Sequence, residues 1–138
     1  MCTGCEPREL LEAAGLKATP QRVRVLSALR EAGEAMTPQA LLAALREEGR
    51  MDKVTLYRTL ETLAASGLAS RHEAGDASVR YCLAGPAHPD HAHFYCLRCK
   101  RLYCLDPGAV TVGADLPGVE HVSVRLEGAC RDCREARG

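Results

Sequence analysis

Tryptophan is absent from this chain, phenylalanine occurs once and tyrosine four times. So few rings exclude an aromatic stacking platform for single-stranded nucleic acid or splayed RNA bases. Net charge is missing as well, since eighteen Lys and Arg stand against eighteen Asp and Glu. A globally basic nucleic-acid binder is thereby excluded; DNA contact needs a local patch or the added charge of a metal. No apolar run reaches the roughly 18 residues of a membrane span. Residues 1–6 carry neither a charged n-region nor an apolar h-region, so no secretory signal is expected. The expectation is a cytoplasmic protein without a membrane partner. The H-E-x-x-H of zinc proteases and the H-x-E with P-C-x-x-C of zinc deaminases are also missing, which argues against an enzyme with a small-molecule substrate.

Sulfur and imidazole are what the chain has. It contains eight cysteines and five histidines in 138 residues. The run from His88 to Cys99 holds three of those histidines and two of those cysteines. Cys96 and Cys99 form a C-x-x-C knuckle, and Cys130 and Cys133 repeat the spacing near the C-terminus. Two such knuckles can close a tetrahedral cage of four thiolates around structural zinc. The alternative, two disulfides, needs an oxidising compartment for which nothing in the sequence argues. A third pair, Cys2 and Cys5, is a mobile tail, a labile thiol pair or a weak metal site. The length allows two small lobes rather than two large cores, and metal would reinforce the smaller one.

Along the chain, helix signals come first. Pro7 suits a first turn, and Leu10, Leu11 and Ala14 form a stripe that stops at Gly15. Thr19-Pro20 and Thr37-Pro38 are N-cap and N1 pairs. They start helices with faces Val23, Leu26, Leu29 and Leu41, Leu42, Leu45, closed by Gly33 and Gly49. Asp52 caps a fourth helix over roughly 53–66, with Leu56, Leu60 and Leu63 inward. Thr55, Tyr57 and Arg58 turn towards solvent on it. Residues 68–73 and 79–83 read as a β-hairpin. Helices followed by such a hairpin make a winged helix-turn-helix, whose second helix enters the major groove. Arg58 and Tyr57 are suited to base edges; equally, they could only solvate a helix, and winged helices also serve protein interfaces. Residues 84–90 are a breaker-rich hinge. Strands are expected at 94–97, 101–105 and 119–126, with no long helix over 106–118. The fold class is therefore α+β: a winged-helix domain over 1–83, a hinge over 84–90, and a small α/β lobe with the four-cysteine site over 91–138.

The pieces Gly15-Leu16-Lys17-Ala18-Thr19-Pro20-Gln21-Arg22, Thr55-Leu56-Tyr57-Arg58-Thr59-Leu60, Gly67-Leu68 and His91-Ala92-His93, with the two knuckles, resemble the ferric uptake regulator family of metal-dependent repressors. The resemblance spans about residues 9–133. It implies a homodimer, joined through the C-terminal lobe, on double-stranded DNA with AT-rich palindromic operators. Tyr57 and Arg58, with Thr55 beside them, would face the bases, Lys17 would approach the minor groove, and the four-cysteine zinc would hold the dimerisation lobe.

It also implies a regulatory site between the lobes. Where the iron branch supplies Glu this chain has Cys82, and where many iron sensors have Asp between the paired histidines it has Ala92. No His stands near Ala35-Met36. Thiolate with imidazole suits zinc, whereas oxygen-rich sets suit manganese or ferrous iron. The chain is thus similar to the zinc uptake regulator branch, with an expected regulatory set of His72, Cys82, His91 and His93 and a second zinc. His88 can replace one of these. Cys104 is either an extra thiolate or a buried strand residue. His121 is a candidate for a third site. The expected function is a zinc-sensing repressor of metal-homeostasis genes. The alternatives are an iron, manganese or peroxide sensor of the same family, or a thiol switch using Cys2, Cys5 or Cys104.

Overall fold

The computed structural model describes residues 6–73, 78–84, 92–106, 108–113, 116–120 and 122–136. Four helices come first: α1 (Pro7–Ala13), α2 (Pro20–Ala32), α3 (Pro38–Glu48) and α4 (Lys53–Ala65). Their starts are set by side chains that satisfy orphan backbone N–H groups. Thr19 Oγ1 accepts from Arg22 N–H at 3.3 Å, Thr37 Oγ1 from Ala40 N–H at 3.1 Å and Asp52 Oδ2 from Thr55 N–H at 3.1 Å. Each cap contributes about 1 kcal/mol. Two of the stops share one geometry. After α1, Gly15 takes φ 78° and Leu16 N–H bonds back to Leu11 carbonyl at 2.9 Å. After α4, Gly67 takes φ 81° and Leu68 N–H bonds back to Leu63 carbonyl at 2.9 Å. The left-handed turn needs glycine, and the returning chain is fixed by the leucine behind it.

The helices close on a leucine-rich core of Leu10, Leu11, Leu26, Leu41, Leu56 and Leu60 with their neighbours. Fully burying one such side chain is worth about 1.5–3 kcal/mol relative to exposure. On α2 the buried positions are Val25, Leu26 and Leu29, while Val23 lies at the margin, as Leu42 does on α3. Of the expected faces Leu26, Leu29, Leu41 and Leu45 are buried, whereas Val23 and Leu42 are not fully so, and Val25, two residues after Val23, takes the core position. Strands β2 (Ala69–Glu73) and β3 (Val79–Leu83) form the antiparallel wing, in the register Ser70↔Cys82 and His72↔Arg80.

A second sheet follows. Between α2 and α3 lies a strand the sequence did not announce, β1 (Glu34–Ala35). It joins β4 (His93–Cys96), β5 (Leu102–Cys104) and β6 (Arg125–Gly128) in the order β1-β5-β4-β6. β5 pairs antiparallel with both β1 and β4, and β6 runs parallel to β4. The next residue after β1, Met36, exchanges two backbone hydrogen bonds of 2.8 Å with Tyr81 of β3. β1 therefore touches the wing on one side and the second sheet on the other. The strand expected at 119–126 is displaced to 125–128. Its partner β4 offers only four residues, paired from His93↔Arg125 to Cys96↔Gly128, and the chain before it turns at Gly118 with φ 86°. No helix forms among the described residues of 106–120, as anticipated. A short helix α5 (Arg131–Glu135) carries the last knuckle. Among the described residues no helix is long and apolar enough to cross a membrane.

Candidate metal centres and reading helix

Two groups of ligand-type side chains gather on opposite faces of the second sheet. Strand side chains alternate between faces. The register His93↔Cys104, Phe94↔Tyr103, Tyr95↔Leu102 therefore places His93, Tyr95, Leu102 and Cys104 on the face towards the wing. Phe94, Cys96 and Tyr103 fall on the other.

On that outer face Cys96, Cys99, Cys130 and Cys133 converge. The turn after β4 presents Cys96 and Cys99, and the start of α5 presents Cys130 and Cys133. Cys96 Sγ lies 3.7 Å from Cys133 Sγ, and Cys99 Sγ 3.9 Å from Cys130 Sγ. A zinc tetrahedron with bonds of about 2.3 Å has sulfur–sulfur edges of about 3.8 Å. A disulfide would need about 2.05 Å. The cluster therefore suits structural zinc and not crosslinks, and all four cysteines are free. Local hydrogen bonding prepares the thiols unequally. The backbone N–H groups of Cys99 and Cys130, each 3.4 Å away, donate to Cys96 Sγ and pull its pKa down to about 5. Cys130 is lowered, first by the N–H of Cys133 and then by the Tyr103 hydroxyl. Cys133 is pushed up to about 12 by hydrogen bonds with Cys130 and Cys96. The phenol of Tyr103 is pushed up by its hydrogen bond with Cys130 and by burial.

On the inner face His72, Cys82 and His93 offer ligand atoms that all lie within 4.8 Å of one another. Cys82 Sγ is 3.2 Å from His72 Nε2 and 3.6 Å from His93 Nε2. The two rings sit 4.4 Å apart between centroids. Sulfur and nitrogen on one tetrahedral zinc are about 3.6 Å apart, given bonds of about 2.3 and 2.05 Å, so this set also fits. His72 reaches Cys82 diagonally across the wing, because His72 faces Arg80 and Cys82 is two residues further on the same side. Cys82 is only 2 % exposed and packs with Ala35, Tyr95 and Leu102. Cys104 packs against the same cluster and is the cross-strand partner of His93. Of the expected regulatory residues, three are therefore brought together and Cys104 adjoins them. His91, His88 and His121 lie outside the described residues, as do Cys2 and Cys5.

α4 carries the expected reading face. Lys53, Val54, Tyr57, Arg58 and Glu61 line a shallow concavity of about 420 Å³. Val54, Tyr57, Arg58 and Glu61 follow the i, i+3, i+4, i+7 pattern of one helix face, opposite Leu56, Leu60 and Leu63. Val54 is 55 % exposed, and the sequence reading missed it although its spacing from Tyr57 marks the face. Lys53 Nζ stands 5.8 Å from the centroid of the Tyr57 ring, and Gln39 Nε2 donates to its hydroxyl at 3.4 Å. The Thr55 hydroxyl is turned back to Asp52, 3.4 Å from its carboxylate. Lys17 is exposed in the turn before α2.

The ferric uptake regulator family model matches residues 13–108. A ferric uptake regulation protein of Legionella pneumophila is 33 % identical over 99 residues, covering 70 % of this chain and 71 % of the relative. A zinc uptake regulation protein of Mycobacterium tuberculosis is 29 % identical over 133 residues, covering 90 % of this chain and 99 % of the relative. A solved zinc uptake regulator complexed with zinc and DNA superposes with a TM-score of 0.57 at 28 % identity, covering 94 % of this chain and 95 % of that one.

Proposed function

Because the chain belongs to the ferric uptake regulator family, whose members are metal-responsive transcription regulators and not enzymes, we propose that it is a zinc-sensing repressor that binds operator DNA as a homodimer. The observation that carries the zinc reading is the His72–Cys82–His93 triad, with its 3.2 Å and 3.6 Å sulfur–nitrogen separations. One thiolate with two imidazoles, and no carboxylate among the described residues of the group, suits zinc better than ferrous iron or manganese. His91 or Cys104 completes the set. The M. tuberculosis relative and the DNA-bound zinc regulator support the same branch.

Zinc held by these residues would supply a tether between the wing and the second sheet. His72 and Cys82 belong to the wing, and His93 to β4. Drawing the three together selects one angle between the reading helix and the sheet. In a dimer that angle sets the spacing of two α4 helices, which must match successive major grooves. Arg58 and Lys53 provide positive charge on this face. Val54 and Tyr57 provide apolar contact of the kind thymine methyls accept. An AT-rich palindrome is the operator that the family resemblance implies. Across the dimer, Val112, Leu116, Val119, Val122 and Leu126, each at least 43 % exposed, give a second copy apolar surface to cover. The proposed division is 1–83 for reading DNA, 84–90 as a link and 91–138 for dimerising, with β1 lent from the first part to the second sheet.

The test is duplex binding by protein filled only at the four-cysteine site, titrated with zinc. Binding should tighten as zinc is added and reverse on chelation. Tight binding that ignores zinc, or an anaerobic response to ferrous iron at lower concentration than to zinc, would overturn the assignment.

A further inference from the structure

The four sulfurs of the outer cluster are not equally protected. Cys96 is fully buried and its sulfur accepts two backbone N–H groups. Cys99 is exposed, yet its sulfur lies 4.0 Å from the hydroxyl of Tyr103. Tyr103 and Cys130 also line one cavity on this face. Thiolates on a metal have no proton to give, so in the loaded site the phenol is the donor and the sulfurs are acceptors. Its strand neighbours flank the ring. It faces Phe94 across the sheet, and the Arg101 guanidinium stands 5.8 Å from its centroid. Arg101 is in turn pinned by Glu34 of β1 at 3.0 Å.

We propose that Tyr103 is a positioning residue of the structural zinc, whose hydroxyl donates to the Cys99 thiolate and slows loss of the metal through the exposed side of the site. A dication with four thiolates carries net negative charge, which collects on sulfur. A donor at the sulfur on the open side withdraws some of it, so that sulfur is a weaker base and less readily protonated off the metal. Partners of this kind tune both ligand orientation and metal retention. The role rests on the four-cysteine cluster alone and stands whether or not the inner site senses zinc.

The test is Tyr103→Phe, which keeps the ring and deletes the donor. It is read in full-length protein carrying Cys82→Ala and Cys104→Ala and loaded with one cobalt per chain, so that cobalt–thiolate bands report the outer cluster. With cobalt(II) in place of zinc, the sulfur-to-metal charge-transfer band should move to lower energy. Zinc release to excess EDTA should quicken by about tenfold, the lower end of the effect of losing an outer partner. Phe94→Leu, which disturbs the same face but keeps the hydroxyl, should leave the band in place. Uniform 3-fluorotyrosine, a stronger donor, should move it the other way without any substitution in the fold. An unmoved band and an unchanged release rate in Tyr103→Phe would overturn the proposal. So would an equal shift in Phe94→Leu, which would assign the effect to packing.

Discussion

Replacing Cys82 with alanine removes the sulfur that stands between two imidazoles. Four-ligand zinc sites in small domains are held by about 10–16 kcal/mol at neutral pH, so one ligand carries on the order of 3 kcal/mol. That is about two decades of affinity. The zinc concentration needed to fill the inner site should rise by about a hundredfold. Coupling between metal and DNA is typically 1–3 kcal/mol, so the wild-type protein should gain about 5–150-fold in operator affinity on zinc binding. The variant should show none of this gain at zinc levels that saturate the wild type. Its fold should survive. Cys82 is buried among Ala35, Tyr95 and Leu102, but losing one sulfur leaves a small void costing about 1 kcal/mol. Domain stabilities are about 5–15 kcal/mol. The assay is fluorescence anisotropy of a labelled operator in zinc buffers, with sedimentation to check the dimer. A Cys82→Ala protein that answers zinc at the wild-type concentration would refute the reasoning and leave the thiol as packing.

Arg58→Ala should weaken operator binding by about 1–3 kcal/mol, the range of one base contact, and leave zinc affinity untouched; anisotropy and a zinc competition assay separate the two. Cys96→Ser should abolish zinc at the outer cluster and with it the dimer, seen as one fewer zinc per chain and a monomer in sedimentation. Zinc loading of that cluster should release fewer than four protons per metal, because Cys96, at about 5, is already a thiolate at neutral pH. Cys133, at about 12, gives up a proton. A weakly buffered indicator titration counts them, and four per zinc would contradict the inequality. In the metal-free protein the depressed Cys96 pKa stabilises the fold fully above its ordinary 9.0. That contribution drains away as pH falls through about 5. Acid should therefore lower the melting temperature across that window.

The parts legible in the sequence are those with local causes. Thr19-Pro20, Thr37-Pro38 and Asp52 announce helix starts because the cap is a contact between residues three apart. The C-x-x-C pairs announce the outer cluster because spacing alone sets sulfur geometry. His72, Cys82 and His93 were named from the family pattern, and the diagonal across the wing explains why they meet. What escaped has distant causes. β1 is two residues long, too short for any period, and exists because Tyr103 and Leu102 pair with it from far along the chain. Tyr103 was overlooked for the same reason. The alternation Leu102-Tyr103-Cys104 could have put its hydroxyl on the knuckle face, but only once Phe94 was known as its partner.

The placement of β1 also bears on how this chain is made. Glu34 and Ala35 leave the ribosome long before Leu102 and Tyr103, to which they bond. Until then the helical core can form while this short edge stays unsatisfied. Closing a loop of such length costs only slowly more entropy than a shorter one, but it delays the step. Synthesis halted between β3 and β4, or a cut made there, would yield an N-terminal piece with an open edge at Glu34 and a C-terminal piece with an open β5. Each would be prone to pair with strangers. Dividing the chain between β3 and β4 is therefore a poor route to two well-behaved halves.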